Sequence, residues 1–371
     1  MPIYWGMMAV AFIVWVMDIY NPRTIKIYNR VEERTTAMRA FLFFAVVVFF
    51  VGLRSGIADT VAYRNMFIEW PSELAEFDIA AEEKDKGFAL LSVIFKQFIS
   101  TDWQVWIFAI AFISTLLVVY PLYKHSPSFG FSAFLFIATT DFTWLMNGMR
   151  QFIVATALFF LMDWIISKKF VRFAIATLLL STIHGSAVLM LPIYFVVQGK
   201  PWSSRMWISI ITCVVMVFAF DTLMPAFGNA LSGTQYDGYI DYMAADTGSN
   251  IMRAIVALVP VALAFIKRSE VSILNDKRMN LAINMSVFNF FCMLLASVSS
   301  GVFMGRLYIY FELYNLMLLP WLIKKVFRGQ TRQLLTAGCI AAYLIWFYYQ
   351  MVITWDYVYY SVVLNTGAWL N

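Results

Sequence analysis

Charge is scarce in this chain. Only 13% of its 371 residues are Asp, Glu, Lys or Arg, and 62% are hydrophobic, where a soluble domain carries roughly a quarter charged residues. A mean hydropathy of +0.74 makes the bilayer, and not water, the natural solvent. Cysteine and histidine are nearly absent, with three and two residues. Cys213, Cys292 and Cys339 lie far apart inside apolar segments, without metal-ligand spacing, and read as buried, inert thiols. There is no glycine-rich phosphate loop ending in Lys-Ser or Lys-Thr, no His-Glu-x-x-His pair and no Gly-x-Ser-x-Gly elbow. ATP-driven and zinc-dependent readings lose support accordingly. A net charge of +5 gives no support to nucleic-acid binding.

Long apolar runs are what the chain does have. They fall at 3–20, 38–53, 102–123, 130–146, 150–167, 171–184, 185–198, 206–224, 251–266, 279–299, 306–323 and 333–354. A spanning helix takes about 20 residues, so the expectation is an all-α, polytopic helical bundle of about 12 spans forming one membrane domain over 1–371. The run 3–20 has no basic region before it and no small-residue cleavage site after it, and reads as a retained helix. Within 171–198 one tilted helix would fit, but Ser181, Thr182, His184 and Gly185 favour a break. A shorter segment near 88–99 carries Lys96 and Gln97 and reads as a re-entrant or interfacial helix. No internal repeat or flexible linker stands out.

Basic loops stay cytoplasmic. The loops at 21–37, 124–129, 168–170, 199–205, 267–278 and 324–332 are basic and alternate with loops that are not, which turns both termini outward. His125, in one of these basic loops, is expected to be solvated. Two long outward loops result, 54–101 with a short helix, and 225–250. The carboxylates at 69–85 lack the alternating spacing of a calcium loop and read as a solvated acidic face.

Against that topology Arg54, Arg64, Arg150, Arg253 and Arg306 stand on the disfavoured side. Each is open to a bland reading, snorkelling to headgroups or pairing with a carboxylate such as Asp59 or Glu312. As a set they suggest convergence on a polyanion, because guanidinium forks bind phosphate in a planar, bidentate way. Polar clusters surround three of them: Gly52-Leu53-Arg54-Ser55-Gly56 with Asp59, Thr60 and Tyr63; Asn147-Gly148-Met149-Arg150-Gln151; and Arg306 with Tyr310 one turn on. Such clusters at a membrane edge are costly unless buried in protein or a wet cavity. His184, in Ser181-Thr182-Ile183-His184-Gly185-Ser186, is chemically able to act as a general base or acid; a lone membrane histidine is otherwise a helix-to-helix hydrogen-bonding residue.

In order and spacing, Gly-Leu-Arg-x-x-x-x-Asp-Thr-x-x-Tyr at 52–63, Asn-Gly-Met-Arg-Gln at 147–151, His-Gly-Ser-Ala at 184–187 with Pro192-Ile193-Tyr194-Phe195, and Arg306 with Tyr310 resemble the EpsG family of Wzy-like exopolysaccharide and O-antigen polymerases. The likeness runs from residue 52 to about 312 and departs at Gly185 and in the long acidic loop 64–87. It implies a glycosyltransferase at the outer face of the bacterial plasma membrane, joining undecaprenyl-pyrophosphate-linked oligosaccharides without metal, cofactor or nucleotide sugar. On that footing Arg54, Arg150 and Arg306 are assigned to the pyrophosphate, and His184 to the base with Asp59 as runner-up. Tyr63, Asn147, Gln151 and Tyr310 are assigned to the sugars. Membrane lipid and a chain-length-regulating co-polymerase are the further partners expected. Two other classes remain open. A lipid-linked oligosaccharide flippase would also want an arginine-lined cavity; a membrane O-acyltransferase would want its histidine toward the cytoplasm, the opposite side from His184.

Overall fold

The computed structural model describes residues 2–27, 30–219, 229, 248–298 and 304–355. Almost all of its regular structure is helical, as the apolar composition requires, since a helix in hydrocarbon satisfies its own backbone N–H and C=O groups. Chain contacts divide it into two compact units. One comprises Met1–Phe160, Thr182–His184 and Ile323–Asn371; the other comprises Leu161–Ser181 and Gly185–Leu322.

Four helices among the described residues are long and apolar enough to cross a membrane: Pro2–Tyr20 (α1), Trp103–His125, Lys277–Val298 and Gly329–Thr354. The other apolar helices have 10–17 residues. At about 1.5 Å per residue they fall short of a hydrocarbon core roughly 30 Å thick. Several helices are therefore long and apolar enough to span, but a count of twelve is not established. The apolar run 130–146 illustrates why, for it yields only the helix Phe129–Ala138 before the chain tightens into a 3-10 turn at Asp141–Leu145. The expected loop 225–250 falls largely outside the described residues.

In the first unit α1 packs on α2 (Ala37–Gly52) and on α6 (Phe129–Ala138), and α2 packs on α5 (Trp103–His125). A Cβ on Gly130 would lie 2.2 Å from the Cα of Trp15, so glycine is what lets these two helices approach backbone to backbone. Beside that contact Asp18 pairs with Arg39 at 3.0 Å and accepts the Gly130 N–H at 3.3 Å. Large side chains on the far faces, among them Phe12, Ile13, Phe41, Phe49, Phe112 and Ile113, are exposed. Such density of outward apolar surface suits lipid and would aggregate in water.

One basic loop is ordered beyond what its charge reveals, and two expectations need correction. The basic loop 21–37 contains a two-stranded antiparallel ribbon, Arg23–Ile27 paired with Arg30–Arg34. His125 is buried, because the loop after it is folded under cationic side chains. Arg34 donates to the carbonyls of Lys124 and Ser126 at 3.3 and 3.0 Å, and Lys324 donates to that of Pro127 at 3.1 Å. The stretch 54–101 holds two helices, α3 (Thr60–Glu69) and α4 (Lys86–Phe98), not one.

These two helices make a folded cap. Phe67, Trp70, Phe88 and Trp106 share a buried aromatic cluster with Tyr63, and Phe67 stacks on Trp106 with centroids 4.7 Å apart. Lys96, on the buried face of α4, donates from Nζ to the carbonyls of Phe67 at 2.9 Å, Ile68 at 3.1 Å and Trp70. It satisfies the orphan acceptors at the end of α3, where the helix dipole favours a cation.

The run 171–198 is a helical hairpin. Phe170–Ser181 ends, and the chain resumes at Gly185–Leu189 and Met190–Val196. Phe170 meets Tyr194 at 5.1 Å and Phe195 at 4.7 Å between centroids. In one continuous helix those positions would stand about 36 Å apart at 1.5 Å per residue.

Candidate functional site

Two of the motifs singled out in the sequence are joined almost residue by residue in the first unit. Arg54 donates to the Met149 sulfur at 2.7 Å, the Gly148 N–H donates to Asp59 Oδ2 at 3.0 Å, and the Arg150 N–H donates to the Tyr63 hydroxyl at 3.4 Å. Gly148 has φ +68°, a left-handed turn that glycine adopts without strain and that launches the helix Met149–Phe160 (α7) with Arg150 in its first turn.

Arg54 is fully buried. Besides the Met149 sulfur it binds Thr60 Oγ1 at 2.8 Å and the Val51 carbonyl at 2.6 Å. Its guanidinium fork thus clamps the end of α2, the start of α3 and the start of α7.

Arg150 is different. Its guanidinium lies over the rings of Tyr63 and Phe88, 5.8 and 5.9 Å from their centroids, and its side chain keeps 23% of its surface exposed. Its Nη1 meets Asp85 Oδ2 at 3.0 Å. The other oxygen of the same carboxylate, Oδ1, lies 3.8 Å from His184 Nδ1. One buried carboxylate, only 6% exposed, therefore faces both the arginine and the histidine picked out by sequence.

Asp85 was missed at the sequence level, being counted among the solvated carboxylates of 69–85. That reading is corrected for Asp85, and also for Glu82, which accepts the Trp70 indole N–H at 2.8 Å. A legible signal existed: Asp before an apolar helical run is an N-cap pattern. The structure then departs from the pattern. Asp85 sits at the N-cap position of α4 with φ +54°, and its side chain makes no capping bond. Forgoing a cap costs about 1 kcal/mol, and a left-handed non-glycine residue costs on the order of 1–2 kcal/mol. Local stability is given up to aim the carboxylate at Arg150 and His184, a conflict typical of functional sites.

Three residues at the hairpin tip reach this site. The Gly87 N–H donates to the Thr182 carbonyl at 2.8 Å, Ile183 packs on the aromatic cluster, and His184 faces Asp85. Burial pushes the Tyr63 phenol above its ordinary range, against the opposing pull of the Arg150 charge, so the ring beneath Arg150 stays neutral.

The remaining candidates divide. Asn147 is half-buried and Gln151 buried, flanking Arg150 in sequence. Arg306, half-buried, and Tyr310, buried, belong to the second unit, where the Tyr310 hydroxyl meets Ser186 Oγ at 2.7 Å. Tyr63 and Tyr310 are both buried, so neither ring is an open stacking platform. Among the described residues no three His, Cys, Asp or Glu are grouped to hold a metal ion.

Apolar helices long enough to span, an outward apolar surface and a polar Arg–Asp–His group define a helical membrane protein with a candidate anion-handling site. The sequence matches the EpsG family model over residues 38–362, nearly the whole chain, and the protein belongs to the EpsG family. Membership supports a polysaccharide-polymerase type of role in general, of a glycosyltransferase-like kind. Comparison with curated proteins and with solved structures gave no match.

Proposed function

We propose that the protein is a polysaccharide polymerase that transfers a growing glycan from undecaprenyl pyrophosphate to the non-reducing end of a lipid-linked repeat unit. The reaction takes place at the outer face of the bacterial plasma membrane. The observation that carries this reading is the Asp85 carboxylate shared between Arg150 and His184, in a family of polymerase type.

In the reaction the bond between the anomeric carbon and the pyrophosphate oxygen breaks, and a bond from that carbon to the acceptor hydroxyl oxygen forms. The hydroxyl proton passes to His184. With Nδ1 turned to Asp85, Nε2 is the nitrogen that receives it, and the carboxylate steadies the imidazolium that results. Negative charge grows on the departing undecaprenyl pyrophosphate, and the Arg150 guanidinium is preorganised beside it, in low dielectric, to stabilise that charge. Asp59 is the weaker candidate for the base, since one of its oxygens is already taken by the Gly148 N–H. Arg54 serves by holding α2, α3 and α7 together. Asn147 and Gln151 offer hydrogen bonds to the sugars, and a co-polymerase regulates chain length.

The test is to incubate the protein, purified in nanodiscs, with undecaprenyl-pyrophosphate-linked repeat units from its own cell and to resolve the glycans on a gel. Wild-type protein should give a ladder, and Arg150→Ala and His184→Ala should not. Substrate moved across the bilayer without any ladder would replace polymerase by flippase.

A further inference from the structure

The second unit contains a cavity of about 290 Å³, built from the ends of three loops. Lys168 follows the short helix Met162–Ile166, Lys200 follows the hairpin, and Lys277 opens the helix Lys277–Val298. These loops lie far apart in sequence, yet all three belong to the set that the charge rule assigns to the cytoplasmic side. Their meeting around one cavity puts them on one side.

Two features of the cavity ask for an anion. None of the three lysines forms an ion pair among the described residues, although other cations of these loops do. Lys267 pairs with Glu270 at 2.7 Å, and Arg278 pairs with Asp163 at 3.3 Å. Asp276, next to Lys277, turns one oxygen, Oδ1, to the N–H groups of Arg278 and Met279. Gln198, also in the lining, buries its Nε2 with no acceptor among the described residues. Lys168, Lys200 and Lys277 are exposed and line one space together with Gln198, and an acceptor-rich anion there would complement their like charges and the amide donor.

The walls are held in place. Asn284 donates to the Val197 carbonyl at 2.8 Å, and Asn280 donates to Asn275 Oδ1 at 3.1 Å. Ile165 and Leu281 line the same cavity, so apolar surface adjoins the cationic rim. Basic cavities between helices on the cytoplasmic side are suited to anionic headgroups.

We propose that this cavity binds a phosphate group through Lys168, Lys200 and Lys277, with Gln198 as an amide donor. The group comes from an anionic phospholipid of the adjoining leaflet or from a soluble phosphate. This site is separate from the polymerase reading and does not depend on it.

The full-length protein in nanodiscs provides the test. Native mass spectrometry counts the phosphatidylglycerol retained from discs mixed with phosphatidylcholine. Each Lys→Gln change should weaken retention about fivefold, with roughly 1 kcal/mol per lysine near a charged surface and 1.4 kcal/mol per tenfold. The K168Q/K200Q/K277Q protein should retain almost none, and the matching Lys→Arg protein should recover it. K200Q alone carries the test if the triple variant melts below wild type. In discs of phosphatidylcholine alone, inorganic phosphate is titrated with detection by phosphorus NMR; binding there that the lysine variants lose identifies the soluble source. Equal phosphatidylglycerol retention by wild type and variants, with no lysine-dependent phosphate binding, overturns the proposal.

Discussion

The Gly87 N–H donates to the Thr182 carbonyl at 2.8 Å, tying the residue two places after Asp85 to the residue two places before His184. A Cβ at Gly87 would stand 2.1 Å from Thr182 Oγ1 and 2.9 Å from the Thr182 carbonyl carbon. The hydroxyl end of Thr182 can rotate away, but its backbone cannot. The close approach that sets His184 beside Asp85 therefore depends on the absence of a side chain at position 87.

Gly87→Ala should push the hairpin tip off α4 and separate the imidazole from its carboxylate. Overpacking of this kind costs about 1–3 kcal/mol, a modest loss of melting temperature. Polymerisation should fall by at least tenfold, because misplacement by about 1 Å disables a reacting constellation. Initial rates of ladder formation beside a thermal melt check this; a wild-type rate would show that the Asp85–His184 approach is not needed.

Asp85→Asn keeps the size of the side chain and its carbonyl oxygen but removes the charge. If the carboxylate steadies a protonated His184 during transfer, the rate should drop on the order of 100-fold, the scale of a general-base contribution. The protein should remain folded. Unchanged ladder formation by a well-folded Asp85→Asn protein would remove Asp85 from the mechanism.

Arg54 and Arg150, alike as sequence candidates, should fail in different ways. Arg54→Lys loses the fork to Thr60, Val51 and Met149 inside the protein and should lose about 1.5–3 kcal/mol of stability, the range for hydrogen bonds to a charged group. Arg150→Lys keeps a cation near Asp85 but loses the bidentate geometry suited to pyrophosphate, and should lower turnover with little change in the melt. Measuring melt and rate for both variants separates the roles, and a stability loss confined to Arg150→Lys would reverse them.

Tyr63→Phe tests the buried phenol through pH. The hydroxyl's bond to the Arg150 N–H is long, at 3.4 Å, so at neutral pH the variant should lose no more than about 0.5–1.5 kcal/mol. Burial raises the folded-state pKa of Tyr63 above an unfolded value of about 10. Its stabilising share is complete below pH 10 and declines as pH rises toward the folded value, because the unfolded chain then releases a proton that the folded one keeps. The stability gap between wild type and Tyr63→Phe should therefore hold constant to about pH 10 and narrow above it, as read from denaturation in detergent across pH. A gap that widens above that pH would contradict a raised pKa.

By itself the sequence determined the solvent and the class of fold. Scarce charge and long apolar runs leave hydrocarbon as the only medium in which this chain can bury its surface, and hydrocarbon in turn admits helices. The order of Arg54, Asp59, Tyr63, Arg150, His184, Arg306 and Tyr310 also carried the family likeness. Tertiary structure alone decided which of these residues lie together. Arg54 and Arg150 share residue type and polar context, and only packing seals one among Thr60, Val51 and Met149 while leaving the other partly exposed beside Asp85. Asp85 itself looked like one acid among many in 69–85. Its burial follows from α4 folding against the hairpin tip some hundred positions away, a contact with no local periodicity to announce it. The same holds for Lys168, Lys200 and Lys277: hydropathy marks which loops share a side, but which loop ends meet around one cavity is settled by long-range packing.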